Sequence, residues 1–293
     1  MAAVEAASAP RETPSARLTA WIGRTPVHIA LVALALLWLV PSVGLLVTSF
    51  RNRSDIAGSG WWEAIGDLDF TLKNYSSVLD SQNMADAFLN SLFIAVPSTI
   101  LPLTIGALAA YAFSWIAFPF RDTVFLAIVA LMVVPIQAAL IPVLKLFREL
   151  DITDSFIGIW VAHTGFALPF AIFLLRNFFI TLPRDLIEAA RVDGASNLRI
   201  FSRVVLPLSV PALASFAIFQ FLWVWNDLLN ALIFVQNPDQ RPLTVTIVNL
   251  QSAYGAEWHL LSAGSFILML LPLVVFFSLQ RYFVQGLLAG SVK

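Results

Sequence analysis

The chain has 293 residues, 59 % hydrophobic and only 12 % charged, with 24 Phe and 9 Trp. Soluble domains carry roughly a quarter charged residues, so most of this surface must face lipid. A net charge of −1 removes the basic footprint of a nucleic-acid binder, and the absence of Cys removes disulfides, thiolate catalysis, Cys-ligated zinc and iron–sulfur clusters.

The first 26 residues are rich in Ala, Ser, Pro and Arg, too polar to pack a core, and read as a mobile tail ahead of a membrane domain at 27–293. Crossing ~30 Å of hydrocarbon at ~1.5 Å per residue takes about 20 apolar residues. Val27–Phe50 is the first such stretch; it is too long for a signal-peptide core and ends without a small-residue cleavage site, so it is expected to remain as an anchor. The segment Arg51–Asp86 mixes Trp61, Trp62, Phe70 and Tyr75 with Asp55, Glu63, Asp67, Asp69 and Asp80, the composition of a solvated interfacial loop. Asn52-Arg53-Ser54 and Asn74-Tyr75-Ser76 match a glycosylation triplet that often arises by chance.

Five further spans follow: Ala87–Phe113, Val124–Phe147, Phe156–Phe179, Pro207–Val235 and Leu261–Val284. The predicted architecture is thus an all-α integral membrane protein of six transmembrane helices. Prolines 41, 97, 102, 135, 142, 169, 211 and 272 fall inside the spans. In lipid the backbone must stay hydrogen-bonded internally and neighbouring helices can satisfy the freed carbonyls, so the prolines predict kinked helices rather than loops. With both termini inside, eleven Lys and Arg lie on the cytoplasmic side against six outside. The sharpest contrast sets Arg176, Arg184, Arg191, Arg199 and Arg203 against Arg241 at the next turn, the asymmetry of the positive-inside rule.

Catalysis has no visible home: the chain lacks a P-loop, a His-Glu-x-x-His and a Gly-x-Ser-x-Gly. His28, His163 and His259 lie in separate segments without carboxylates at ligand spacing, which argues against a His-based metal site. An ion-coupled carrier would place carboxylates near the midplane, and Asp227 is the one clear candidate. Trp223, Asn226 and Asp227 suit either a polar solute path or contacts that bind and cap neighbouring helices. Gln220 and His163 are single polar groups on apolar helices, the usual signature of an interhelical hydrogen bond.

Between the fourth and fifth spans, residues 182–207 predict a helix–turn–helix. Pro183 suits a first turn, Asp185 favours the positive helix end and Gly194 terminates, giving a helix from Pro183 to Asp193. Leu186, Ala189, Ala190 and Asp193 share one face, where two alanines leave a narrow ridge that a groove on another protein could approach, flanked by Glu188 and Arg191. Ser196 caps a second helix running towards Pro207.

Glu188-Ala189-Ala190, Gly194, and Val204 two residues ahead of Leu206-Pro207 carry the spacing of the EAA loop, and this stretch resembles that of ATP-binding-cassette importer permeases. Leu168-Pro169-Phe170 through Arg176, Trp225-Asn226-Asp227 and the ending from Gly286 to Lys293 look like the maltose-type carbohydrate permeases, in particular their shorter second subunit. Val204 stands where Ile is common, and Leu288 and Ser291 depart from the usual ending. The resemblance covers about residues 27–293 and implies a type I importer permease in a bacterial or archaeal plasma membrane. It implies a second homologous permease, an ATPase dimer that holds ATP and Mg, and an extracytoplasmic sugar-binding protein as partners, with no cofactor in this chain. Glu188, Ala189, Ala190, Arg191, Asp193 and Gly194 then become the ATPase-coupling residues, and Gln220, Trp223, Asn226 and Asp227 the candidate translocation path. A permease for a non-sugar solute shares the same loop; an ion-coupled carrier would instead run without an ATPase.

Overall fold

The computed structural model describes residues 14–67, 69–81, 83–254 and 257–289, whose regular elements are all helices, with no strand among them. Helix α1 is Pro14–Ser49, with an apolar portion Thr25–Ser49 that begins close to the expected Val27. Residues 1–13 of the expected tail lie outside the described residues. Three short helices, α2 (Arg53–Gly58), α3 (Ala64–Asp67) and α4 (Lys73–Ser81), lead to the long α5 (Met84–Trp115). Then come α6 (Arg121–Ala130) with a 3-10 turn to Val133, α7 (Ile136–Glu149), α8 (Phe156–Phe179) and α9 (Arg184–Val192). Helix α10 (Asn197–Ile200), a π turn (Phe201–Val205) and α11 (Leu206–Leu208) precede α12 (Val210–Trp225), α13 (Leu229–Phe234), α14 (Leu243–Tyr254) and α15 (Trp258–Ala289).

Among the described residues four continuous helices, in α1, α5, α8 and α15, are long and apolar enough to cross a membrane. Six spans result if each of two bent pairs counts as one. These pairs differ from the kinked helices expected. The third span breaks at Val134-Pro135, where α6 and α7 meet at 103°. A residue before proline is pushed out of the helical region, and Val134 is extended at ψ 120°. The fifth span bends by 77° at Ser209, two residues ahead of Pro211, and stops at Trp225 rather than running to Val235. There Asn226 turns its amide back onto the Leu222 carbonyl at 2.7 Å.

The remaining prolines sit inside continuous helices, and three of them expose one physical device. A proline lacks an N–H, so the carbonyl four residues earlier loses its helical partner. Pro97 and Pro102 in α5 free the carbonyls of Phe93 and Ser98, and Pro272 in α15 frees that of Leu268. Trp160 Nε1 of α8 donates to Phe93 O at 2.9 Å, Gln220 Nε2 of α12 to Ser98 O at 3.0 Å, and Trp225 Nε1 to Leu268 O at 2.9 Å. Each freed acceptor is therefore a tie to another helix, as a medium without water requires.

Helices α5 and α8 form the closest pair. A Cβ on Gly106 would stand 2.7 Å from the Ala171 Cβ, so only the missing side chain lets the two backbones approach. Around this pair the core divides towards the two ends: Tyr111, Leu175, Phe179, Ile187, Ile200 and Phe201 fill one, and Ile94, Phe147, Ile159, Trp225 and Phe234 the other.

The segment after α1 is more tightly knit than a solvated loop. Arg51 is buried and donates to the carbonyls of Asp55 and Ser59 at 2.9 and 3.2 Å and to Ser59 Oγ. Asn74 is also buried, and its amide caps the end of α1 by donating to Ser49 O and Arg51 O at 2.8 and 2.9 Å. That amide nitrogen is occupied inside the fold, which argues against glycosylation at Asn74.

Candidate functional site

The loop between α8 and α12 takes the shape its residues dictate. Helix α9 lies within one residue of the expected Pro183–Asp193 at each end. Gly194 has φ +76°, the left-handed conformation that glycine enters at little cost. Its N–H reaches Arg191 O and the N–H of Ala195 reaches Ala190 O, both at 3.0 Å, closing the helix C-terminus. Ser196 Oγ then accepts the Arg199 N–H at 3.4 Å and starts α10.

Ile187 is fully buried and pins α9 to the body, while Glu188, Ala189, Asp193 and Gly194 are exposed and Ala190 is half-buried against the core. Arg191 belongs to the chain's own frame: Nη2 donates to the Trp115 carbonyl at 2.6 Å, capping the end of α5. The exposed apolar surface is larger than the alanine ridge. Val192 is 86 % exposed, Leu198 68 % and Leu186 47 %, three aliphatic side chains on a polar loop. Val192 and Leu198 were missed because they fall outside the Leu186-Ala189-Ala190-Asp193 face; an isolated aliphatic residue among charged ones on each side of the turn was the available signal.

Further along the bundle, the bent α6–α7 leaves a groove against α8 and α12. One part, about 320 Å³, is lined by Ile136, Phe166, Ala167, Phe170, Phe219, Gln220 and Trp223. A second part of about 370 Å³ shares Ile136, Phe166 and Phe170 and reaches Met132 and Gly165. Of the four candidate path residues, Gln220 and Trp223 line the groove and Asn226 and Asp227 do not. Phe166 with Phe170 and Phe219 with Trp223 are i, i+4 pairs on helices that are apolar all round, where periodicity cannot separate a groove wall from a lipid-facing stripe.

Asp227 instead stitches elements together. Its Oδ1 accepts from the backbone and side-chain amides of Asn230 at 3.4 and 3.2 Å, and its carbonyl accepts from Thr244 Oγ1 at 3.0 Å. Its Oδ2 lies 3.6 Å from His163 Nε2. At the end of the bundle opposite the α9–α10 loop, a polar cleft of about 550 Å³ opens among Asn83, Asp86, Asn90, Asp239, Arg241 and Asn249. Among the described residues no cluster of three or more His, Asp or Glu could hold a metal ion.

The sequence profile of the family described as "Binding-protein-dependent transport system inner membrane component" matches residues 102–288. The osmoprotective compounds uptake permease protein GgtD of a Synechocystis species is 51 % identical over 282 residues, covering 94 % of this chain and 95 % of that protein. The alpha-glucoside transport system permease protein AglG of Rhizobium meliloti is 38 % identical, covering 91 % and 96 %. Among solved structures, a chain of a bacterial ABC transporter that imports the acidic polysaccharide alginate superposes with a TM-score of 0.74 at 24 % identity, covering 94 % of this chain and all of that one.

Proposed function

Because the chain belongs to the family of inner membrane components of binding-protein-dependent transport systems, we propose that it is one permease subunit of an ATP-driven importer that passes a carbohydrate into the cytoplasm by alternating access. The observation that carries this reading is the exposed Leu186, Val192 and Leu198 surface on a loop held to α5 by Arg191. Such a patch on a charged loop suits insertion into a groove of another protein.

In this reading the partner is an ATPase dimer that binds ATP and Mg, while this chain contributes no nucleotide site and no catalytic residue. Glu188, Ala189, Asp193 and Gly194 meet the ATPase directly; Ala190 and Arg191 hold the loop's shape. The excess of Lys and Arg around the loop supports a cytoplasmic position for it and for both termini. A second, homologous permease completes the path, in line with the resemblance to the shorter subunit of two-permease systems. An extracytoplasmic binding protein delivers the solute at the end bearing the polar cleft.

The aromatic groove supports a carbohydrate as the solute. Faces of Phe166, Phe170, Phe219 and Trp223 suit the C–H faces of a sugar ring, as aromatic walls with a few polar groups suit small-molecule sites generally. The relative named for osmoprotective compounds brings such solutes into the test panel beside alpha-glucosides. The test is uptake by the reconstituted complex in proteoliposomes. ATP-dependent accumulation of a glycoside with all ion gradients collapsed is expected; accumulation that follows a proton or sodium gradient without ATP refutes the proposal.

A further inference from the structure

His163 is fully buried in α8, and neither of its ring nitrogens has a hydrogen-bond partner. Facing Nε2 at 3.6 Å is Asp227 Oδ2, an oxygen that also lacks a partner although its twin Oδ1 is held by Asn230. A cavity of about 10 Å³ lies beside them, closed by Ser91, Ile94, Ile159 and Trp225. Two lone pairs directed at each other at that separation repel strongly in a medium of low dielectric constant, so one hydrogen must lie between Nε2 and Oδ2. The pair is then one unit, in which each group relieves the burial cost of the other.

The unit's other contact gives it a task. The His163 ring meets the Trp223 ring edge to face, with centroids 5.3 Å apart and planes at 86°. Trp223 lies on α12 two turns beyond Phe216, and its indole forms one wall of the aromatic groove. His163 thus stands between a carboxylate that fixes its orientation and an indole whose orientation it fixes in turn. Asp227 is itself immobilised by Asn230 and Thr244, so the chain of contacts starts from a rigid point.

We propose that His163 and Asp227 are positioning residues for the transported solute: neither lines the groove, and together they hold the Trp223 indole at the angle from which it contacts a sugar ring. The inference rests on the carbohydrate-importer reading for the solute, but its structural half stands independently of it. This pairing accounts for a carboxylate and an imidazole side by side at a buried site where each alone would be costly.

The experiment uses the whole importer complex labelled with 5-fluorotryptophan, the Trp223 resonance being assigned with Trp223→Phe. His163→Gln, Asp227→Leu and the double variant His163→Leu/Asp227→Leu are compared; the double variant leaves no orphaned charge but strands the Asn230 amides that Oδ1 held, so the readouts are taken on the assembled fraction of each complex. The Trp223 signal is expected to shift in all three. The KM for glycoside uptake is expected to rise about tenfold while kcat stays within twofold. Asp227→Asn keeps an oxygen for Asn230 and sets an N–H opposite Nε2, which the imidazole accepts in its Nδ1-protonated tautomer, so both readouts should stay near wild type. An unmoved Trp223 resonance overturns the inference whatever the complex transports. A shifted resonance with unchanged KM overturns the solute half and leaves the importer reading intact. Failure of the wild-type complex to move any carbohydrate refutes the importer reading, and the resonance still decides whether the pair sets the indole.

Discussion

The tie between Gln220 and Ser98 gives a prediction with an internal control. Gln220 is 4 % exposed, and its Nε2 lies 3.0 Å from the Ser98 carbonyl that Pro102 leaves unpaired. Gln220→Met keeps the length and removes the donor, so a carbonyl is stranded between α5 and α12. A stranded buried acceptor costs ~1–3 kcal/mol in soluble proteins. Interhelical hydrogen bonds in membranes average nearer ~0.6 with a maximum near ~1.7, because the unfolded chain in lipid also finds partners. A loss of about 1 kcal/mol is therefore expected, close to fivefold in the folded-to-unfolded ratio.

Pro102→Ala returns an N–H four residues beyond Ser98, so the same carbonyl regains a helical partner. In that background Gln220→Met should cost about 0.3 kcal/mol or less, within the range over which independent changes add. The assay is reversible unfolding in mixed detergent micelles, followed by circular dichroism, for the four members of the cycle. Equal costs of Gln220→Met with and without Pro102 would refute the idea that the glutamine serves the proline's orphan. The same logic couples Trp160 to Pro97 and Trp225 to Pro272.

Three other outcomes are expected. Gly194 has φ +76° and open space within the chain around its Cα; Gly194→Asn, which the left-handed region tolerates, should lower ATPase co-purification less than Gly194→Val, whose backbone strain of ~1–2 kcal/mol should lower it severalfold. Gly106→Leu must push α5 from α8, since even its Cβ would meet Ala171 at 2.7 Å; overpacking of ~1–3 kcal/mol should appear as a lower melting temperature of the purified protein. Val192→Asp combined with Leu198→Asp touches only exposed side chains; it should leave the circular dichroism and melting temperature unchanged and reduce ATPase capture in pull-downs at least tenfold.

Much of this architecture was legible because lipid imposes strong rules. A run of some 20 apolar residues has few alternatives to a helix, and the asymmetry of Arg residues around Gly194 marks one loop. Pro183, Gly194 and Ser196 specify a short helix, a left-handed turn and a cap through their own backbone and side-chain chemistry. The breaks were not legible. Pro135 and Pro142 look alike in sequence, yet one ends a helix and the other lies inside α7. At Pro97, Pro102 and Pro272 a neighbouring helix supplies the missing donor, and Trp160, Gln220 and Trp225 lie far along the chain from the carbonyls they serve. Asp227 was visible as a polar group in an apolar stretch, but its role rests on His163 and Thr244, which tertiary structure alone brings to it. Phe166 and Phe170 were invisible as groove residues for the opposite reason: on a helix apolar all round, nothing distinguishes one face.

These features locate stiffness and compliance within the bundle. Arg191 fastens α9 to the last carbonyl of α5, and Ile187, Ile200 and Phe201 pack with Tyr111, Leu175 and Phe179. The loop therefore cannot move without the adjoining ends of α5 and α8. Those two helices are in turn locked face to face by the close approach of Gly106 to Ala171 and joined by the Trp160 tie. Helix α5 alone spans ~48 Å at ~1.5 Å per residue over its 32 residues. In the proposed importer, a push on Val192 and Leu198 would move α5 and α8 together. The elements that line the groove beside α8 lie on the broken spans, at Pro135 between α6 and α7 and at Ser209 ahead of α12, where backbone bends need not break a continuous helix. In the proposed importer, the α5–α8 pair working against two bent neighbours would widen or narrow the space between them, and that space holds Phe166, Phe170, Phe219 and Trp223.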